Sequence, residues 1–533
     1  MRLMRWVWLL FLSCFSADIP APPAIVPGGV VNAASLMPAT LPGGAIARGA
    51  RIRIPGVRLG PDRPVRGSES DPPSELAGVS VQFTQGDKSI AGGLLMVSES
   101  RIDAWVPETV PLGAVNLTIS RHGLVSDPYR LNVVESDAGL FTAATAPGPL
   151  LARMRDLDGV PAGALTIFAS GLEASTVDVF VGGKSVRANV DRVACCRGVE
   201  QIEVDVPGDA PQGCAVSVLA RVPGGPASNV IAAAIHPAGL PCHDPVDWFR
   251  GAVEHATRAG YVVLARIQMD SGVVARAQMD YGIASFARPE SGQRVFPPLP
   301  PMRTCTALTD RINLRALVRQ ARTPEEWTSI PEKASGSLRL DAGPGIAVAG
   351  EGGKRVLAPD PRRHESYKAI LGGAPPFSRR PPVPDFLAPG RYTATAPGGA
   401  DVGPFSVEVV VPRVVQWRNR GAISKIERSK GVTVEWRAAH RDSAILILAV
   451  NADRFSGDSA MCLCMAPASD GRFTLPPLML SNLPPTSEEN DISASYLVLV
   501  EMPAEPPVKI EARGLDAGFA AFVSASAKVV VYR

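Results

Sequence analysis

The strongest constraint on this chain is a pattern written twice: residues 101–119 are RIDAWVPETVPLGAVNLTI, and one hundred positions later residues 201–220 are QIEVDVPGDAPQGCAVSVLA. Ile102, Ala104 and Val106 alternate with Arg101, Asp103 and Trp105, as Ile202, Val204 and Val206 alternate with Gln201, Glu203 and Asp205. A period of two belongs to a strand with one face in a core. Both strands stop at a proline, Pro107 or Pro207. A short polar loop then ends in Pro111-Leu112-Gly113 or Pro211-Gln212-Gly213, and a second alternating strand follows (Val115, Leu117, Ile119; Val216, Val218, Ala220). Upstream, Leu165, Ile167 and Leu172 repeat Ile52, Ile54 and Leu59. The expected repeat cores therefore contain Ile52, Ile54, Ile102 and Val106 in one copy and Leu165, Ile167, Ile202 and Val206 in the other. Each copy has about the 100 residues of one sandwich, and two copies are too few for a closed array. Tandem beads are the expectation, with Ile102 and Ile202 at equivalent buried positions.

Composition supports many short strands. Of 533 residues, 50 are glycine and 51 proline, yet 46% are hydrophobic, so low-complexity disorder is not the explanation. A length of this order accommodates several domains. Lys plus Arg (54) against Asp plus Glu (51) leaves a formal charge of +3, and neither Arg362-Arg363 nor Arg379-Arg380 extends into a basic stripe, which argues against a nucleic-acid partner. The opening MRLMRWVWLLFLSCFSA has the basic start and short apolar run of a secretory signal peptide, expected over 1–20. Cleavage within 16–24 is expected rather than lipid attachment at Cys14. No later stretch is long and apolar enough for a spanning helix.

A more specific likeness lies in the order of short motifs. Val31-Asn32-Ala33-Ala34-Ser35 precedes an alternating strand that closes on Leu59-Gly60-Pro61; then come I-x-A-x-V-P with its glycine turn and, at the end, Gly139-Leu140-Phe141-Thr142. This order resembles a domain of secreted acidobacterial proteins, itself similar to the IPT/TIG type of immunoglobulin-like sandwich. One departure is Arg58, at a turn position where that family has glycine. Further on, Leu340-Asp341-Ala342-Gly343-Pro344, Leu387 to Tyr392 and Asp401-Val402-Gly403-Pro404-Phe405 resemble the distal region of the same family. The resemblance implies an all-β fold and assigns no activity.

The expected fold class is all-β: tandem immunoglobulin-like β-sandwiches over 25–143 and 144–238, a small disulfide-closed α+β insert over 239–306, a linker and β-rich module over 307–411, and a C-terminal β-sandwich over 412–533. In the insert, Asp244-Pro245 opens a helical pattern running to Ala259 with Trp248, Phe249, Ala252, Val253 and Ala256 on one face; another helix is expected around Asn313 to Arg322. Cys242 and Cys305 bracket a segment near the lower size limit for folding unaided, so a disulfide is expected between them. Cys214 begins the strand after the second proline stop and is expected near Cys195 or Cys196, with Cys196 and Cys214 as further disulfide candidates.

Chemistry is sparse. Six histidines (His122, His236, His243, His255, His364, His440) lack zinc-helix spacing, and no G-x-S-x-G elbow occurs. Gly350 to Lys354 fails as a phosphate loop because Val348 stands where glycine is needed, and Gly343-Pro344-Gly345 fails as a dinucleotide fingerprint for a similar reason. Asp270 with Asp280, or Glu488 with Glu489, could pair as acid and base, but solvated charge is the simpler reading. Trp417 and Trp436 alternate with valines and are expected in a core rather than on a sugar platform. Cys462 and Cys464 share a strand face without further metal ligands. No catalytic, cofactor or metal site is therefore expected. The functional expectation is a non-catalytic secreted, periplasmic or cell-surface protein for adhesion or scaffolding, whose partner is an extracellular protein or a polysaccharide. A carbohydrate-binding or polysaccharide-processing accessory protein, and a hydrolase within 240–533, are the alternatives.

Overall fold

The computed structural model describes residues 21–142, 145–146, 160–161, 163–236, 256–270, 277–288, 299–310, 338–360, 363–374, 382–438, 440–452, 458–486, 495–502 and 507–533. The expected signal peptide, Cys14, Cys242, Glu488, Glu489, the expected helix at 313–322 and all but the end of the one at 245–259 lie outside these residues. The protein is all-β, built from several mostly antiparallel sheets.

In the first repeat, one sheet runs Ala24–Ile25, Arg51–Val57, Arg101–Trp105, Gly93–Val97, Val65–Arg66. The facing sheet runs Ile46–Ala47, Tyr129–Val134, Gly113–Arg121, Val79–Gln85, Glu75–Leu76. The Ile46–Ala47 strand pairs in parallel with Val133 and Val134, an immunoglobulin-like closure. The second repeat has the same plan, and its strand Lys184–Arg192 pairs with both Thr176–Val181 and Glu200–Asp205, joining its two sheets.

The equivalence of the copies extends to single bonds. Ile102 pairs with Ile54 and Ala104 with Ile52; Ile202 pairs with Ile167 and Val204 with Leu165. Ile52, Ile54, Ile102, Val106, Leu165, Ile167 and Ile202 are all buried, and Val206 packs half-buried at the edge of its core. The N–H of Val106 donates to Ala50 and that of Val206 to Gly163, while Val110 and Ala210 close the same turn on Pro107 and Pro207. Ser126 and Ser228 supply a matching detail. Each hydroxyl accepts from the preceding strand (Ile119 N–H, 3.0 Å; Ala220 N–H, 2.9 Å) and donates to the next carbonyl.

The repeats are not loose beads, because buried polar groups lock them together. Asn32 donates to the Ser170 carbonyl at 3.1 Å, and the Arg51 N–H donates to Ser170 Oγ at 2.8 Å. The buried Arg51 side chain reaches the Arg197 carbonyl and pairs with Glu69, both at 2.6 Å. Asn229 bonds both backbone groups of Leu140. Strand Gly139–Leu140, at the end of the first repeat, pairs with Ser170 and Ala169 of the second. Buried polar groups that lose such partners cost about 1–3 kcal/mol each, so a freely flexing junction is disfavoured. Arg58 takes the left-handed φ of +58° that glycine would have held, and its Nε donates to the Pro22 carbonyl.

Two acids at this junction make it pH-sensitive. Burial pushes Asp137 up from 3.8 to about 7 against one N–H from Ala45, and pushes Glu200 up from 4.5 to about 7 against the N–H of Leu172. One carboxyl oxygen of each is buried without a partner. Between about pH 4 and 7 the unfolded chain has released protons that the native state still holds, so stability falls as pH rises through this window. We expect the melting transition of the sandwich pair to move down from pH 4.5 to pH 7, and Asp137→Asn with Glu200→Gln to flatten that dependence. A transition that instead rises with pH in both proteins would contradict the account.

From residue 256 onward, strands of the three expected modules pair with one another. Strand Ala259–Asp270 pairs in parallel over its whole length with Ala517–Val529. Strand Thr304–Asp310 pairs with Ser459–Pro467. The 239–306 insert and the 412–533 sandwich therefore contribute neighbouring strands to one fourteen-stranded sheet. Alternation within a strand shows that it has a buried face, but long-range pairing chooses its neighbours. The sheet carries two cores. One gathers Val262, Leu264, Phe286, Leu357, Tyr392 and Phe522; the other gathers Ile445, Ile447, Cys462, Leu497, Leu499, Trp436 and Tyr532. Met37, Leu41, Leu219 and Ala227 of the repeats join the latter. The distal motifs interlock: Asp341 accepts from Gly343 and Ala400, while Asp401 accepts from the Asp341 N–H at 2.9 Å.

Candidate functional site

The two cores lie on the same face of the long sheet, and a polar band separates them. Along Ala259–Asp270 that face reads Val262, Leu264, Arg266, Gln268, Asp270; along the parallel partner it reads Ala520, Phe522, Ser524, Ser526, Lys528. Paired residues share a face, which places Arg266 beside Ser524 and Gln268 beside Ser526. On the other side, Ser524 neighbours Glu501 and Ser526 neighbours Leu499. Apolar packing thus stops at Leu264 and Phe522 and resumes at Leu499.

The chain crosses this band once more, passing from strand Phe405–Val411 through Pro412 to Val415 into the short strand Gln416–Trp417. A proline cannot donate to a ladder, so the crossing segment leaves the sheet below it partly uncovered. On one side of Pro412 lies a groove of about 590 Å³, lined by Arg266, Gln268, Pro389, Arg413, Gln416, Arg418, Arg420 and Ser526, among others. On the other lies a cavity of about 550 Å³ with Phe522, Val410 and Val508 at one part and His440, Asp442, Ser443 and Glu501 at another. There, Ser443 donates to Glu501 at 2.9 Å.

Four guanidinium groups meet in the first groove. Arg266, 13% exposed, forms a bidentate pair with the fully buried Asp280 at 2.7 and 2.9 Å. Asp280 also accepts the N–H groups of Phe386 and Leu387, each at 2.8 Å. Burial pushes this carboxyl up, but the Arg266 guanidinium and the two backbone N–H groups outweigh it and hold it below the ordinary carboxylate range. Arg420, 12% exposed, donates to Ser526 at 2.8 Å and has Asp270 at 3.9 Å. Lys528 donates to the Arg420 carbonyl just beneath. Arg413 and Arg418 stand exposed at the rim and have no side-chain ion pair among the described residues. The groove thus has charge fixed at its floor and free at its rim.

The candidates taken from the sequence fall elsewhere. Cys305 is bonded to Cys464, not to Cys242, because strand pairing sets the two directly opposite with Cα atoms 4.0 Å apart. Cys196 is bonded to its neighbour Cys195 rather than to Cys214, which is itself disulfide-bonded. Cys462 lies 3.7 Å from Cys464, so three sulfurs cluster, but two are spent in a disulfide and burial pushes the remaining thiol up to about 12, unfit as ligand or nucleophile. Trp417 and Trp436 face each other across paired strands, 9% and 3% exposed, with indole N–H groups bonded to Asn419 and Ala468. Asp280 is held in its ion pair rather than facing Asp270 as an acid–base partner. Gly350 to Gly353 form a hairpin turn. The arginines of the groove escaped sequence reasoning, although the switch from Leu264 to Arg266 and from Phe522 to Ser524 in an otherwise apolar alternation was the signal.

No protein-family model and no curated protein matches the chain. Among solved structures, domains 5–6 of the S-layer protein SbsC are 10% identical over 40% of this chain and 99% of theirs, with a TM-score of 0.17. SGBP-B from a xyloglucan utilization locus of Bacteroides uniformis is 12% identical over 73% of this chain and 97% of its own, with a TM-score of 0.17. The gamma-CGTase of an alkalophilic Bacillus clarkii is 15% identical over 40% of this chain, with a TM-score of 0.15, and the match spans 25% of its length. None of these is similar enough to carry over a role.

Proposed function

We propose that this chain is a non-catalytic extracellular or cell-surface binding protein in which rigid β-sandwiches and a long sheet hold a ligand groove. The observation that carries the reading is the groove at Pro412, whose charged side chains are fixed from below by Asp280 and Ser526 and left open above. Groups held in place before a ligand arrives lose little freedom on binding, which favours recognition. The secretory character of residues 1–20 and the tandem IPT/TIG-like motifs agree with an outward location, and no helix among the described residues is long and apolar enough to cross a membrane. The test is binding of the purified mature chain to whole cells and to a glycan array, alongside a broad hydrolase and redox screen. Saturable binding without turnover is expected. Reproducible turnover abolished by one substitution within 240–533 would overturn the reading.

A further inference from the structure

Resting on that binding-protein reading, we infer that the groove beside Pro412 is a site for an acidic polysaccharide, with the guanidinium groups of Arg413 and Arg418 taking successive carboxylates of uronic-acid units. Arg266, Arg413, Arg418 and Arg420 all line the groove, and among the described residues no aspartate or glutamate does. Asp280 neutralises Arg266 from behind, and Asp270 stands near Arg420, but Arg413 and Arg418 have no acid within pairing distance among the described residues. Two free planar forks on a chain of nearly balanced charge make a local anion site rather than a whole-molecule field.

The neutral lining narrows the class. Gln268, Gln416 and Ser526 supply amide and hydroxyl groups, and Pro389 and Pro412 supply flat apolar faces. Hydroxyls and ring faces alternating with spaced carboxylates are the chemistry of a uronate polymer. An acidic peptide would instead need pockets for apolar side chains, and a nucleic acid would need a longer basic track. A volume of about 590 Å³ falls in the usual range of ligand sites, roughly 300–1,000 Å³, and suits a short stretch of polymer rather than a large surface.

The test is calorimetric titration of the full mature chain with oligogalacturonate, with neutral dextran, dextran sulfate, polyphosphate and single-stranded DNA as parallel probes. Arg413→Gln with Arg418→Gln is the informative variant, because both side chains are exposed and unpaired, so folding is preserved. Oligogalacturonate should bind in a salt-dependent manner, dextran should not, and the double variant should bind at least tenfold more weakly. Arg418→Lys should recover part of the loss, since it keeps the charge without the fork. Equal binding by the double variant would place the site elsewhere, and tighter binding of dextran sulfate, polyphosphate or DNA than of oligogalacturonate would overturn the carboxylate assignment. Cell binding that persists in the double variant defeats this inference and leaves the binding-protein reading standing; absence of binding to every cell and polymer defeats both.

Discussion

Asp280→Ala is expected to destabilise the sheet that begins at residue 256 by about 3–5 kcal/mol, because it leaves the Arg266 guanidinium without its buried partner. It also removes the acceptor of two backbone N–H groups, at Phe386 and Leu387, that fasten the 385–388 loop over the face of the sheet. Urea denaturation should show the loss, and hydrogen exchange should find those two amides among the most accelerated. Asp280→Asn retains an acceptor and the shape but not the charge, so it should fall between alanine and the parent. If Asp280→Ala denatured at the parent's midpoint with unchanged slope, the ion pair would have no part in holding the groove floor.

Removing the Cys305–Cys464 disulfide is expected to have a comparable effect. The bond closes a sequence separation of 159 residues, for which the chain-entropy estimate is about 5 kcal/mol; measured values commonly fall short of it. Cys305→Ala with Cys464→Ala should lower the denaturation midpoint of the region from 256 onward while leaving the transition of the two repeats in place. Cys462, whose thiol is held protonated by burial, should resist alkylation in the native protein and react once the sheet opens. A single cooperative transition that shifted as a whole would show that the repeats and the long sheet unfold as one unit.

These expectations depend on features that differ in how far they could be read from the residues. The paired repeats were legible because an alternating strand ending in proline is a local signal, and Ile102 and Ile202 carry it in the same register against Ile54 and Ile167. The junction was only half legible: Asn32 stood out within a motif, but its acceptor, the Ser170 carbonyl, is a backbone group 138 residues away. The Cys305 pairing failed for a related reason. Proximity in sequence favoured Cys242, whereas the partner was decided by the strand that docks beside Thr304–Asp310. The groove was least legible, since Arg413 and Arg418 acquire meaning only when Arg266 and Ser526, from two distant strands, are brought beneath them.

The parallel pairing of Ala259–Asp270 with Ala517–Val529 also sets an order of events during synthesis. Each repeat is made of contacts closed within about 115 residues, so the pair can acquire its structure as soon as its own residues emerge. Strand Ala259–Asp270, in contrast, has Ala277 to Ala287 on one side early but must await a partner more than 250 residues later on the other. Until then its edge leaves a row of backbone N–H and C=O groups unpaired, an aggregation-prone condition for a chain emerging in sequence order. A chain cut short before Ala517 is therefore expected to aggregate through this edge.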